Sequence, residues 1–393
     1  MRKITKNVFL TISILISSLS MNAAEKTKNM TDSLNQFSFD FFNTLSDKNK
    51  NIFFSPLSLH MALASVAMGA EGQTYQEFAD HVKIDKNTLS NYEAFLKDLK
   101  QPSNSPLVIA NKLWTKKNKN FLPQFIADSK KYFFSTPESL DFVEQTEASR
   151  KTINQWVESN TRKKIKELLP GGTLTPLTEF VITNTVYFKG QWKKQFEISQ
   201  TKNDSFHLTD GSSVQTPFMS LYDNFNYSEN KNYQVLELMY KEDLYSLVVF
   251  LPKDKQSHLN LDLQQYNELL QSLKTQQLEI FLPKIKMDYK IEANNELIKM
   301  GVNRAFQPAE ARFTKMSPYD PKNNIFISKV IHKSVLEINE EGTEAAAATA
   351  VTGFGAGAPP KYKIFKADKP FLLFLLKKPS HEIIFMGQYA GRS

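Results

Sequence analysis

The chain has 393 residues, 41% hydrophobic, 23% charged and 12% aromatic, a profile that excludes a disordered or fibrous protein and leaves a globular one with a sizeable core. Its 49 Lys+Arg against 41 Asp+Glu give a net charge of +8, too mild to single out nucleic acid as a partner. With no cysteine, the chain has no disulfide, no thiol nucleophile and no thiolate metal site.

The first 24 residues have the layout of a secretory signal peptide: Arg2, Lys3 and Lys6, an apolar run from Val8 to Leu19, then Ser20, Ala23 and Ala24. The run is well short of the roughly 20 apolar residues of a spanning helix. The expectation is export to the extracellular space or periplasm, with cleavage at Ser18-Leu19-Ser20 or near Asn22-Ala23-Ala24 and no membrane attachment afterwards. The mature chain then carries 46 Lys+Arg against 41 Asp+Glu, a charge of +5. Residues 25–393 are expected to form one domain, because no Pro/Gly/Ser-rich linker divides them.

Leu34, Phe37, Phe41, Phe42 and Leu45 recur at the spacing of one helix face and predict a helix over 31–45, with Thr31 or Asp32 as its cap. Ser55-Pro56 starts a second helix that Gly69 stops. Segments 121–132, 146–159 and 261–273 also read as helices. Arg162-Lys163-Lys164 reads as a solvated helix face in preference to a polyanion site. Segments 180–188, 235–240, 244–251, 278–282, 326–338, 370–376 and 382–386 are short, rich in β-branched and aromatic residues, and bounded by turn formers, so they predict strands. Helices early and strands late make the fold α+β with large sheets.

No G-x-S-x-G elbow, H-E-x-x-H pair, Walker loop, EF-hand loop or Cys/His spacing occurs, so neither catalysis nor a metal or other cofactor is expected. A lone His332 in an apolar strand reads as a hydrogen-bonded core residue. Residues 342–358, in contrast, are nearly all small, with Glu344 their single charge. Read with period two, Thr343, Ala345, Ala347, Thr349, Val351, Gly353 and Gly355 share one face and Glu344 falls on the other. As a strand, about 15 such residues would span near 50 Å, well beyond ordinary strands. Alanine content alone predicts a short helix over 343–350 instead.

The run Glu340-Glu-Gly-Thr-Glu-Ala-Ala-Ala-Ala-Thr-Ala350 resembles the reactive-loop hinge of inhibitory serpins. Other strings resemble that family's signatures, in family order: Asn51-Ile-Phe-Phe-Ser-Pro-Leu-Ser58, Asn184-Thr-Val-Tyr-Phe-Lys-Gly-Gln-Trp192, Leu282-Pro-Lys284, Ile331-His-Lys-Ser-Val-Leu336, Lys369-Pro-Phe371 and Phe385-Met-Gly387. Together they cover about residues 30–390. Departures are Thr185, where alanine is commoner, and a C-terminus without the usual proline.

The resemblance implies a serpin fold, three β-sheets with eight or nine helices and an exposed reactive-centre loop at about 340–361. It implies a monomeric serine protease inhibitor that acts as a suicide substrate, its partner being the target protease in a covalent acyl complex. The hinge would be Glu340, Gly342, Thr343, Glu344, Ala345, Ala346, Ala347 and Ala348. Counting 17 residues from Glu340 inclusive ends at Ala356, so the reactive bond is Ala356-Gly357, suited to an elastase-like or subtilisin-like protease. Cleavage after Phe354 by a chymotrypsin-like protease is the alternative. Ser55, Ser58, Asn184 and His332 match the cluster that controls sheet opening, Trp192 the point where the loop first enters, and Lys284 with Glu340 a pair at the hinge base. A non-inhibitory binding or chaperone-like serpin is the alternative function.

Overall fold

The computed structural model describes residues 30–391 apart from 46–48, 86–87, 89–90, 94, 97–105, 118, 255–258, 323 and 344–361. The expected signal peptide therefore lies outside the described residues. So do Glu344, Ala345, Ala346, Ala347, Ala348, Phe354, Ala356 and Gly357.

Leu34, Phe37 and Phe41 are buried along one side of a helix over 30–44. Thr31 is inside that helix and not its cap, and its hydroxyl donates to Glu382 Oε1 at 3.1 Å. The second helix, Pro56–Ala67, begins as the sequence predicts. Ser55 keeps an extended backbone and its Oγ accepts from the Ser58 amide, while Pro56 has no amide hydrogen to leave unpaired. This helix is buried all round, so it runs through the core. Further helices are Gly72–His81, Pro123–Phe133, Thr146–Asn160, Leu263–Gln271 and Asn294–Met300. Arg162-Lys163-Lys164 is not a helix face: it lies past the end of Thr146–Asn160, with left-handed backbone at Arg162 and Lys163.

The strands form two hydrogen-bonded arrays. In the seven-stranded central sheet the order is Glu138–Leu140, Leu107–Lys116, Phe180–Phe188, Lys329–Ile338, with Ile285–Glu292 on the far side of the last. Two-residue strands Gly342–Thr343 and Gly190–Gln191 complete it at one end. The nine-stranded array hinges on the 17-residue strand Ser213–Glu229. One end of that strand pairs with Lys202–His207 and the other with Tyr233–Met239, so it joins two of the three expected sheets.

Phe180–Phe188 and Lys329–Ile338 run parallel through seven register pairs, from Lys329↔Val181 to Val335↔Tyr187. Side chains alternate across this seam as strand geometry requires. Ile182, Val186 and Val330 face the main core behind the sheet, whereas Val181 and Ile331 face a smaller core under helix Thr146–Asn160. That helix is bound to the segment after it by Asn154, whose side chain exchanges two 2.8 Å hydrogen bonds with the backbone of Leu169. Asn154→Ala leaves the buried Leu169 amide without a partner. We expect a loss of about 1–3 kcal/mol in denaturant unfolding, read as a lower midpoint with an unchanged m value.

Candidate functional site: the seam of the central sheet and its hinge

Halfway along the seam, five side chains behind the sheet form one network. The amide of Ser55 donates to His332 Nε2 at 3.1 Å, so the neutral imidazole carries its hydrogen on Nδ1 and donates it to Asn184 Oδ1. Asn184 Nδ2 donates to Ser58 Oγ at 2.6 Å and to Asn111 Oδ1 at 2.5 Å. Ser55 Oγ donates to the carbonyl of Ile384 at 2.6 Å, tying the network to the second array. His332 and Asn184 sit on opposite strands of the seam at the same register pair. Their hydrogen bond therefore bridges the two strands that a new strand would have to separate. Burial holds the His332 pKa down at about 3, so the ring is neutral.

Above the last register pair the two strands diverge and the hinge begins between them. After Ile338 the chain turns through Asn339, Glu340 and Glu341. Asn339 Oδ1 accepts from the amides of Glu341 at 3.1 Å and Gly342 at 3.2 Å. Gly342 and Thr343 then run back down the slot, Thr343 pairing with Ile338 on one side and Gly190 on the other. Gly342 has φ +154°, and a Cβ there would lie 2.1 Å from the carbonyl oxygen of Gly190, so only glycine fits. The pairing also excludes, at Gly342 and Thr343, the helix that alanine content favours for the following residues.

Aromatic rings and ion pairs seat this turn. Trp192 stacks on Tyr240 with ring centroids 4.6 Å apart, and its Nε1 donates to the carbonyl of Asn339 at 2.9 Å. The Tyr240 hydroxyl lies 2.7 Å from Thr343 Oγ1. Lys284 meets Glu340 at 2.9 Å, and the Thr201 hydroxyl donates to the same carboxylate at 2.8 Å. The Glu340 side chain is only 7% exposed, so the pair is half-buried and not the surface contact its two long side chains suggest. Burial works to raise the Glu340 pKa, but the bonds from Lys284 and Thr201 outweigh it and the net shift is downward.

All the sequence-derived candidates within the described residues fall on this seam or at its upper end: Ser55, Ser58, Asn184 and His332 in the network, and Trp192, Lys284, Glu340, Gly342 and Thr343 around the turn. Sequence reasoning missed Asn111, Tyr240 and Thr201. Asn111 faces Asn184 in the register of the neighbouring strand, a pairing visible only in the fold, and nothing local marks Tyr240 or Thr201.

The family model described as serpin, serine protease inhibitor, matches residues 32–391. The leukocyte elastase inhibitor of Xenopus tropicalis is 34% identical over 380 residues, which cover 93% of this chain and 100% of that protein. Among solved structures, the thermophilic serpin tengpin in its native state superposes with a TM-score of 0.84 at 28% identity, over 92% of this chain and 93% of that one. Human thyroxine-binding globulin superposes with a TM-score of 0.82 at 26% identity, over 92% and 98% of the two chains.

The buried histidines set a pH dependence. His332, near 3, and His60, lowered to about 4 by burial against a smaller raising effect of its bond to Val82, both lie below the ordinary 6.5. The unfolded chain takes up these protons first as pH falls, so the stabilisation is complete above about pH 6.5 and is lost between there and about 3. We expect a melting temperature that is flat from pH 8 to 7 and falls below about 6, each histidine contributing up to about 1.4 kcal/mol per pH unit. His332→Gln should flatten part of that slope; an unchanged slope would contradict the assignment.

Proposed function

The chain belongs to the serpin family of serine protease inhibitors, and from that premise we propose that it is an exported, single-use inhibitor that traps its target protease covalently. The observation that carries this reading is the position of Gly342 and Thr343, already paired in the slot above the closed seam.

The protease would treat the loop as substrate. Its serine oxygen attacks the carbonyl carbon of Ala356, the Ala356-Gly357 amide breaks, the new amine of Gly357 leaves with a proton from the protease, and an ester joins Ala356 to the enzyme. The inhibitor supplies neither nucleophile nor base, only the scissile loop. The freed segment 344–356 then enters the seam behind Thr343, carrying the acylated protease about 40 Å along the sheet at roughly 3.3 Å per residue. Insertion of a serpin reactive loop is an established example of strand addition.

The register at Thr343 gives the path. Thr343 lies opposite Ile338 and Gly190. Continued downward in antiparallel steps, Ala345 meets Leu336 and Phe188, Ala347 meets Ser334 and Val186, and Thr349 meets His332 and Asn184. Small side chains are needed at 345 and 347 because Phe188, Leu336 and Val186 already fill the core there. Thr349 arrives at the His332–Asn184 hydrogen bond with a hydroxyl able to replace what it breaks. Glu344 comes opposite Lys189 and Glu337, on the face away from the core.

Insertion breaks the seven parallel register pairs and makes two antiparallel ladders. A net gain on the order of a dozen hydrogen bonds at about 0.5–1.5 kcal/mol each is worth roughly 6–18 kcal/mol, comparable with the whole stability of a domain. The uncleaved protein would be metastable, held by kinetics. Ala356 suits the shallow pocket of an elastase-like or subtilisin-like protease, with Phe354 and a chymotrypsin-like protease as the alternative.

A carrier function is the second reading, favoured by the similarity to thyroxine-binding globulin. A denaturing gel after mixing with elastase or chymotrypsin separates the two, since an inhibitor gives a covalent band at the summed mass and a carrier gives none. Thr343 is already buried in the slot, so Thr343→Arg drives the hinge out of it, and insertion must then begin by burying a guanidinium beside Tyr240 and Phe188, at a cost of several kcal/mol. At about 1.4 kcal/mol per tenfold, that slows insertion by orders of magnitude, so the gel should show cleaved inhibitor and little complex. Thr349→Val, which leaves a polar group of the network unpaired, should lower the ratio of complex to cleaved inhibitor by about tenfold or more. Glu344→Arg should leave it unchanged. Equal loss in Glu344→Arg, or none in Thr343→Arg, would contradict the register.

A further inference from the structure

Among the described residues, the first strand after the hinge is Lys363–Lys366, four residues at the edge of the nine-stranded array. It pairs in parallel with Lys274–Pro283, from Leu278↔Lys363 to Phe281↔Lys366. That neighbour runs on into Ile285–Glu292, which joins the seam strand at its upper end, Ile285↔Ile338, so Lys363 is anchored upstream of that end. Seven residues lead from Ala356 to Lys363 and span at most about 25 Å. The proposed insertion moves Ala356 about 40 Å down the sheet. An uncut loop therefore cannot insert fully while Lys363–Lys366 stays paired.

Tension from an uncut loop would reach this strand first at Lys363, and that end is held through one carboxylate. Glu229, the last residue of Ser213–Glu229, gives one oxygen to each of two lysines. Its Oε1 accepts from Lys363 Nζ and its Oε2 from Lys253 Nζ, both at 2.6 Å. These two bonds hold its pKa down at about 2, so it is charged at neutral pH. Lys253 follows the buried strand Tyr245–Pro252, and its amide donates to the carbonyl of Asn232 at 2.8 Å. It is thus fixed to the array and orients the carboxylate for Lys363. The Lys363 ammonium also lies 5.1 Å over the ring of Tyr227, whose hydroxyl accepts from Gln234 Nε2 at 3.0 Å. The same Nε2 lies 3.3 Å from the carbonyl oxygen of Ile364.

We propose that Glu229 is the positioning residue that makes insertion wait for cleavage: by clamping Lys363 it keeps the edge strand paired in the uncut chain. Cleavage of the Ala356-Gly357 bond would separate the inserting segment from this strand, after which the clamp no longer matters. Glu229 thus acts on the uncut protein alone. The waiting role rests on the inhibitory reading above, while the clamp itself does not.

The clamp is tested by hydrogen exchange of the uncut protein, read in peptides that cover residues 363–366. Exchange there should be about fivefold faster in Glu229→Gln, the scale of losing partly exposed ion pairs. Sodium chloride at about 1 M should speed it in the natural protein and not in the variant. Lys363→Met should behave alike, and the double variant should exchange no faster than the faster single one, because the two share one interaction. Unchanged exchange in both single variants overturns the clamp. The waiting role is tested at 37 °C without protease, by following the melting temperature of chain that a denaturing gel shows to be uncut. A higher-melting uncut form should accumulate several times faster in Glu229→Gln than in the natural protein. Faster exchange without faster accumulation overturns the waiting role. Absence of any covalent complex between the natural protein and elastase or chymotrypsin counts instead against the inhibitory reading and leaves the exchange result standing.

Discussion

The hydrogen bond from His332 to Asn184 spans the seam between two parallel neighbours of the central sheet, below the slot that Gly342 and Thr343 occupy. Everything around it serves to keep the seam shut without making it permanent. Ser55, at the start of a helix that is itself wholly buried, orients the imidazole through its amide and anchors the helix to the second array through its hydroxyl. Ser58 Oγ and Asn111 Oδ1 accept from the Asn184 amide nitrogen. A seam closed only by apolar packing would lose its stabilisation gradually as it opened. A polar network in a dry site is lost abruptly, because each bond broken leaves a buried group unpaired.

The upper end of the seam is built on the opposite principle. Gly342 and Thr343 occupy the slot, and Trp192, Tyr240, Glu340 and Lys284 hold the turn above them in one geometry. If the loop inserts as proposed, its first step is already part of the folded structure, and the cost of nucleating a new strand is met during folding. On the proposed mechanism this division separates two rates. Entry is fast because it is already begun, and completion waits until cleavage frees the far end of the loop and the polar network gives way.

Much of this was legible in the sequence. Strands such as Phe180–Phe188 and Tyr245–Pro252 are buried on both faces and rich in β-branched and aromatic residues, and Ser55-Pro56 marks a helix start by capping chemistry alone. Ile285–Glu292 alternates apolar and charged residues and was legible by its period, although the reading stopped that region at Leu282. Leu107–Lys116 and Ser213–Glu229 were not legible. The first interrupts its apolar residues with Asn111 and Lys112, and the second contains Pro217 and many polar side chains because its faces serve different neighbours along 17 residues. The candidate residues of the seam came from motif resemblance, since no local rule says that residues 55, 184 and 332 meet. Tyr240 and Thr201 were missed for that reason: tertiary placement alone gives them their partners.

If the seam is a closed site awaiting one more strand, then cleaving the loop must stabilise the protein, although breaking a peptide bond ordinarily adds disorder and lowers stability. The direct measurement is the melting temperature of the intact protein against the same protein nicked near Ala356 by a protease that does not stay bound, both at pH 7.5. A large rise on cleavage, on the order of tens of degrees for the roughly 6–18 kcal/mol of added hydrogen bonding, is the predicted result. An unchanged or lower melting temperature in the nicked protein would contradict the account.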